Sequence, residues 1–377
     1  MIQVTDKSKC CGCSACAGVC PAQCITMVPD SEGFKYPSAD PDLCLSCGQC
    51  EQVCPMNNSK SDTKKKAYAV REPKYEPQSS SGGVFSALAE RVLSEGGVVF
   101  GAAFDDQLKV SHIKMDDLSG LHHLRGSKYV QSDTTGVFQQ VHDELSAGRK
   151  VLFSGTPCQV AGLQKFLDKE YPELVTIDIA CHGVPSPKLW DKYVKEKGEG
   201  LMHVNFRDKS ESWRKYDVAY IYKDRTEKVK FDKDPYMLLF LQNVSLRPSC
   251  YDCVFRNGGN FSDITLADFW SIAGTVPQMN DGRGVSAVIV NTAKGQELVS
   301  ELEQTSEVKY EDAVRANGGF FSTFDVPAGR NEFFRGLDKT DDLGKYIARF
   351  IKKKSAVCET YERLHTVLAK IKRRILS

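Results

Sequence analysis

The chain has 377 residues, of which 41% are hydrophobic and 10% aromatic, so it can form packed cores and its length predicts more than one domain. A formal net charge of +1 gives no overall bias toward nucleic acid or acidic partners. We find no run of about 18 apolar residues that predicts a membrane span and no apolar signal-peptide core, so we expect a cytoplasmic protein. Fifteen cysteines in such a protein indicate metal binding or redox chemistry.

The first 58 residues contain two cysteine repeats of identical spacing. Each follows the C-x2-C-x2-C-x3-C-P pattern that is typical of bacterial-type ferredoxins with two 4Fe-4S clusters. In that pattern the fourth cysteine of one repeat binds the cluster of the other. We therefore assign one cluster to Cys10, Cys13, Cys16 and Cys54, and the second cluster to Cys44, Cys47, Cys50 and Cys20. Paired zinc sites are the less specific alternative. Cys11 and Cys24 have no assigned role.

Residues 59–66 are polar and without apolar periodicity, which predicts a linker. Short apolar strands then alternate with amphipathic helices, which predicts a mixed α/β domain on a partly parallel sheet over residues 67–335. The expected elements are strands at 67–70, 151–153 and 174–179, helices at 84–93 and 159–167, and a hairpin of 98–104 with 108–113.

A serine- and glycine-rich loop at residues 78–83 lies between the first strand and the first helix of this domain. It could bind an anion at the helix N-terminus, or it could be only a cap and a turn.

Four more cysteines follow at Cys158, Cys181, Cys250 and Cys253. Two of them stand at expected strand ends, where ligands gather in open sheets, so we predict a third iron-sulfur cluster there. Buried core cysteines beside an unrelated C-x2-C, or a zinc site, are the alternatives.

Residues 336–377 are predicted to form a basic helical tail, with Leu364, Leu368 and Ile371 at helical spacing. The tail could contact a membrane surface or a partner, but a solvated helix packed by one apolar stripe is the favoured interpretation. Cys358 within it is expected to be structural or free.

Four segments resemble one known family. They are 155–163 (GTPCQVAGL), 181–186 (CHGVPS), 250–253 (CYDC) and 263–270 (DITLADFW). They are similar to the coenzyme F420 hydrogenase/dehydrogenase beta subunit family, over about residues 67–330, with a dicluster ferredoxin domain fused in front. The resemblance implies a flavin domain that binds FAD and exchanges electrons between a small hydride-donating or hydride-accepting coenzyme, F420-like or another, and a redox partner protein or ferredoxin.

The resemblance also implies site residues. A loop that contacts FAD would correspond to Ser81, Gly82 and Gly83, a flavin-proximal segment to Ser127, Lys128 and Tyr129, and a cluster site to the four later cysteines. Catalytic residues are not identified. Two rival functions remain: a ferredoxin-dependent reductase of an organic substrate, and a non-catalytic electron-relay subunit.

Three polar residues could act on a flavin or a cluster. Lys128 and Arg207 could stabilise negative charge on a reduced flavin or its phosphates, or could be solvated surface charges. His182 could tune a cluster or relay a proton, or could be structural.

Overall fold

The computed structural model describes residues 1–57, 65–256, 261–315, 317–320 and 323–352. Most of the expected linker, and the tail beyond residue 352 with Cys358, lie outside these ranges. Among the residues described, no helix is long and apolar enough to cross a membrane.

The described strands and helices are numbered in chain order. The strands are β1 (Ile25–Pro29), β2 (Lys35–Ala39), β3 (Lys66–Arg71), β4 (Val98–Phe104), β5 (Val110–Met115), β6 (Val151–Gly155), β7 (Leu174–Ile179), β8 (Leu201–Asp208), β9 (Asp217–Tyr222), β10 (Thr226–Lys230), β11 (Ile264–Asp268), β12 (Ser286–Val290) and β13 (Gln304–Val308). The helices are α1 (Ala15–Gly18), α2 (Gln49–Gln52), α3 (Val84–Ser94), α4 (Leu121–Leu124), α5 (Val137–Ser146), α6 (Pro157–Leu167), α7 (Pro187–Lys197), α8 (Pro235–Leu241), α9 (Ile272–Thr275), α10 (Ala293–Ser300), α11 (Tyr310–Val314), α12 (Arg330–Gly336) and α13 (Leu343–Ala348).

The first 57 residues form a small ferredoxin-like unit around the antiparallel hairpin β1–β2. The duplication seen in the cysteine spacing is repeated in the backbone. Gly12 and Ser46 have φ values of 74° and 52°, and Ser14 and Gly48 have 63° and 77°. The equivalent positions of both repeats therefore adopt the same left-handed conformation, which turns each short loop around its thiols.

An eight-stranded mixed sheet forms the centre of the second unit, in the order β13-β3-β12-β11-β7-β6-β4-β5. Strands β4, β6, β7 and β11 run parallel to one another, and the outer strands pair antiparallel. The buried apolar runs of β6 and β7 suit a sheet that is covered on both faces. The carboxyl ends of the four parallel strands consequently point to one edge.

A second sheet, β10-β9-β8, packs with α7, α8, α12 and α13 into an aromatic core. This core includes Trp190, Phe206 and Tyr236, each no more than 1% exposed. Phe34 of the ferredoxin unit lies in the same core, and Cys13 packs into another core with α5 and α6. The ferredoxin unit is therefore docked on the larger domain through shared hydrophobic cores.

The mixed α/β class and the predicted strands and helices are confirmed, with small shifts at the ends. The second hairpin strand begins at Val110 instead of residue 108, because Leu108 has a φ of 60° and lies in the turn. Helix α6 begins at Pro157 instead of residue 159, since Thr156 and Gln159 form a capping box.

The expected domain boundary at residue 335 falls inside a packed region. Helix α13 buries Leu343, Tyr346 and Ile347 against the aromatic core. The part of the predicted tail that the structure describes, residues 336–352, therefore includes a helix that packs on the aromatic core.

Candidate functional site

The thiols expected for the second ferredoxin cluster lie around one small cavity. Its walls include Cys20, Cys44, Cys47 and Cys50, so the fourth cysteine of the first repeat lies beside the three leading cysteines of the second repeat. Cys24 lines the same cavity, with its Sγ 3.4 Å from that of Cys20. This contact with Cys20 raises the pKa of the Cys24 thiol to about 11.

The thiols expected for the first cluster lie on the side of the unit that faces the larger domain. Burial raises the pKa of Cys16 to about 12, and neighbouring Cys10 and Cys54 add to the rise. Cys13 lies against Gly162 of α6, where an added Cβ would be 2.8 Å from the Cys13 Sγ. Helix α6 therefore forms part of the wall around this site.

Cys158, Cys181, Cys250 and Cys253 are far apart in sequence but line a single buried cavity. The N-cap of α6 places Cys158 in its first turn, immediately after β6. Cys181 follows the end of β7, and Cys250 ends a short 3-10 turn. The parallel strands thus deliver two of the thiols to the carboxyl edge of the sheet, where the C-x2-C pair meets them.

Cys11 is a fifth thiol in this cavity wall. Its position in the sequence, between two expected cluster ligands, does not predict that it lines a cavity of the larger domain. The neighbouring Cys11 thiol, together with burial, raises the pKa of Cys158. Burial raises the pKa of Cys250 to about 12, so without a metal the thiol is protonated. Metal binding at such thiols must release protons.

Within the described ranges, no three Cys, His, Asp or Glu side chains converge at the spacing of a single metal ion. A 4Fe-4S cube binds its four thiolates through four different iron atoms, so its ligands need not converge on one point. Each of the two cavities is lined by five thiols, which is enough to supply the four ligands of such a cube.

A much larger cavity, of about 460 Å³, opens next to the thiol-lined cavity. It lies at the carboxyl ends of β6, β7 and β11, and its walls include five of the residues expected to contact FAD: Ser81, Gly83, Ser127, Lys128 and Tyr129. Gly82 does not line it. An added Cβ at Gly82 would be 2.4 Å from the carbonyl oxygen of Val70, so this glycine permits close packing onto β3.

The two cavities share one stretch of wall. Ile179, Ala180, Cys181, Gly183 and Val184 line both of them, and Gly319 joins this segment from another loop. A single layer of chain after β7 therefore separates the large cavity from the four thiols.

The large cavity is electropositive at one end. The Lys128 ammonium donates to the carbonyl oxygens of His123 and Arg125, at 2.9 and 2.8 Å, and among the described residues no carboxylate pairs with it. Burial lowers the pKa of Lys128 to about 7. The first residues of α3 line the same cavity, and the N-cap Gly83 provides no side-chain cap. Free N–H groups and an unpaired ammonium favour an anionic ligand.

Arg207 and His182 also reach this cavity, and neither is a solvated surface group. Arg207 is 6% exposed and donates to both carboxylate oxygens of Asp268, so its charge is already compensated. The Nε2 of His182 lies 2.7 Å from the Asn243 Oδ1. Burial lowers the pKa of His182, which favours the neutral ring.

Two family models match the sequence. Residues 148–316 match the C terminus of the coenzyme F420 hydrogenase/dehydrogenase, beta subunit, and residues 9–58 match the 4Fe-4S dicluster domain. A solved chain of the F420-reducing NiFe hydrogenase complex from Methanosarcina barkeri is 15% identical, with 75% of this chain and 90% of that chain covered and a TM-score of 0.45. No curated protein matches the sequence. The chain is therefore an iron-sulfur electron-transfer protein with a 4Fe-4S dicluster domain, and its residues 148–316 are related to the C terminus of the coenzyme F420 hydrogenase/dehydrogenase beta subunit.

Proposed function

We propose that this protein is an FAD- and iron-sulfur-dependent oxidoreductase. It passes electrons between a hydride carrier, a deazaflavin of the F420 type or another, and a one-electron carrier. The observation that carries the proposal is an unbroken series of sites. The large cavity shares a wall with the cavity lined by Cys158, Cys181, Cys250 and Cys253, which we call the four-thiol cavity. Cys11, which also lines the four-thiol cavity, joins it to the ferredoxin cysteines.

The large cavity suits FAD in position, size and charge. Ligands of open α/β sheets bind at the carboxyl ends of the strands, and ligand cavities commonly measure about 300–1,000 Å³. The unpaired Lys128 ammonium and the open N-terminus of α3 would supply the positive charge that a diphosphate needs. A bound flavin would supply the exchange of a two-electron hydride for single electrons.

The residues of the cavity wall would hold and orient this group. Lys128 would neutralise a phosphate or an anionic ring. The Arg207–Asp268 pair is fixed by the Arg207 stack on Tyr216, with the guanidinium carbon 4.4 Å from the ring centroid, and would shape the wall without adding net charge. Tyr129 and Phe240, with ring centroids 4.9 Å apart, would exclude water from one side.

We further propose that Cys158, Cys181, Cys250 and Cys253 bind a third 4Fe-4S cluster. Cys181 lines both cavities, so a cluster bound through this thiolate would be next to the flavin. The first ferredoxin cluster would follow, bound by Cys10, Cys13, Cys16 and Cys54.

The second ferredoxin cluster, on Cys20, Cys44, Cys47 and Cys50, would be the point of exchange with a protein partner. Cys47 is exposed, and the neighbouring Leu43 and Leu45 are 57% and 68% exposed. Apolar side chains exposed beside a cluster suit contact with a redox partner protein or a ferredoxin.

Anaerobically purified protein tests these proposals. We expect FAD after acid release and about twelve iron atoms per chain, and we expect the variant Cys250→Ser to retain about eight. Matched purification of Cys24→Ser, which changes a thiol outside the assigned sets, should leave the iron content unchanged. Absence of flavin would instead support a relay subunit, and about eight iron atoms in the unchanged protein would exclude the third cluster.

The substrate is tested by mixing the oxidised protein with reduced deazaflavin, NADH, NADPH or reduced ferredoxin without oxygen. Bleaching of the flavin by one of the three hydride carriers identifies that carrier and supports the proposed exchange with a hydride carrier. Bleaching by reduced ferredoxin alone would support a ferredoxin-dependent reductase of an organic substrate.

A further inference from the structure

Arg247 is completely buried at the junction between the ferredoxin unit and the larger domain, with an exposure of 0%. Its Nε donates to the Cys10 carbonyl oxygen at 2.8 Å, its Nη1 to the Gln131 Oε1 at 3.0 Å, and its Nη2 to the Lys35 carbonyl oxygen at 3.0 Å. The same Nη2 lies 3.6 Å from the Cys10 Sγ. The guanidinium therefore contacts both the backbone and the sulfur of an expected cluster ligand.

The other side of Arg247 lines the four-thiol cavity. The loop of the first cysteine repeat closes over this side chain, since an added Cβ at Gly12 would be 2.7 Å from the Arg247 Nη1. One guanidinium thus faces two groups of thiols.

The charge of Arg247 has no carboxylate partner in the part of the chain that the structure describes. Three other buried arginines have one: Arg71 pairs with Asp281, Arg207 with Asp268 and Arg330 with Glu32. A buried charge without a counter-charge is strongly unfavourable, because neutral acceptors replace only part of its hydration. The Arg247 guanidinium carbon also lies 4.3 Å from the Tyr36 ring centroid, which compensates the charge only in part, so the site favours a negative group other than an amino-acid carboxylate.

Thiolate-ligated iron-sulfur clusters carry net negative charge, and their potentials depend on charge and on hydrogen bonds to their sulfurs. We propose that Arg247 is the counter-charge shared by the first ferredoxin cluster and the cluster on Cys158, Cys181, Cys250 and Cys253, and that it raises the reduction potentials of both. The part of this proposal that concerns the cluster on Cys158, Cys181, Cys250 and Cys253 rests on the proposed function. The part that concerns the first ferredoxin cluster does not.

The sign follows from charge balance. Reduction adds one electron to a cluster and makes it more negative, so a fixed positive charge nearby stabilises the reduced form more than the oxidised form. When an electron passes between the two clusters, one is oxidised as the other is reduced, whichever way the electron moves. A cation between the two clusters raises both reduction potentials. It therefore keeps the potentials close together, and the free energy of electron transfer between the clusters stays near zero.

The test is an anaerobic potentiometric titration of the intact protein, followed by electron paramagnetic resonance of each reduced cluster. In Arg247→Gln we expect the reduction potentials of the two adjoining clusters to fall by at least about 59 mV. For one electron this is a tenfold change in the ratio of reduced to oxidised cluster. The second ferredoxin cluster should not shift. Arg247→Lys, which keeps the charge, should stay close to the unchanged protein.

Arg330→Gln is the matched control, because Arg330 is also buried, at 4% exposure, but pairs with Glu32. It should lower stability without moving any potential.

Unchanged potentials in Arg247→Gln at full iron content would overturn the proposal. If Arg247→Gln loses iron, the decision falls to Arg247→Lys. Reduction potentials equal to those of the unchanged protein would then support the proposal, and lower potentials would refute it. If the unchanged protein proves to lack the third cluster, the proposed function fails, while a shift of the first ferredoxin cluster still decides the role of Arg247.

Discussion

The ion pair between Glu32 and Arg330 is expected to hold the ferredoxin unit on the larger domain. Glu32 lies in the turn between β1 and β2, and its carboxylate accepts from the Arg330 Nη1 at 2.9 Å and Nη2 at 2.5 Å. The Arg330 guanidinium also donates to the Leu246 carbonyl oxygen and the Tyr251 hydroxyl, at 2.8 and 3.0 Å. Its side chain is 5% exposed and that of Glu32 is 16% exposed, so solvent screens the pair little.

The change Glu32→Gln keeps the shape of the side chain but leaves the Arg330 charge buried without its partner. Breaking one side of a buried pair costs about 3–5 kcal/mol, so we expect a loss of that order in the free energy of unfolding. The measurement is urea denaturation of the anaerobic holoprotein, with hydrogen exchange of the β1–β2 hairpin as a local reading.

The matched control for Glu32→Gln is Glu227→Gln. Glu227 pairs with Arg225, and their side chains are 44% and 50% exposed, so the control should cost about 0–1 kcal/mol. If Glu32→Gln is no more destabilising than this control, the pair does not fix the docking and the reasoning from burial is wrong.

Two further changes test the large cavity and the first cluster site. Lys128→Gln should raise the dissociation constant of FAD about tenfold to a hundredfold, the effect of losing one charged hydrogen bond, as measured by flavin fluorescence on dilution. Because burial lowers the pKa of Lys128 to about 7, its charge is present below that pH and lost above it. Flavin affinity should therefore fall as the pH rises through about 7, and the variant should lack this fall. Gly162→Ala should lower iron content, because its Cβ would be 2.8 Å from the Cys13 Sγ, whereas Gly274→Ala, with nothing within 4 Å, should leave iron content unchanged.

Local patterns in the sequence predict much of the fold. The strands and helices follow from apolar periodicity, which depends on near neighbours in the chain. The order of the central sheet could not be predicted, because β3 pairs with β12 and β13, more than 200 residues later. The apolar character of Leu108 matches a strand pattern, but its positive φ puts it in the turn.

The candidate site shows the same division. The spacing of the cysteines is a local signal, and in the structure Cys20 lines one cavity together with Cys44, Cys47 and Cys50. Arg247 could not be found in this way, because its partners Cys10, Lys35 and Gln131 are more than 100 residues away. The placement of Gly82 depends on the carbonyl of Val70 in a neighbouring strand, which the resemblance of a loop does not indicate.

The backbone duplication of the ferredoxin unit has a consequence for the direction of current. The two halves repeat each other in loop geometry, yet one is enclosed by α6 and Arg247, whereas the other presents Cys47 to water. Twin halves in unequal dielectric surroundings need not have equal affinity for an electron. The favoured direction of electron transfer between the two clusters would then depend on how the ferredoxin unit docks on the larger domain, and not on any difference between its repeats.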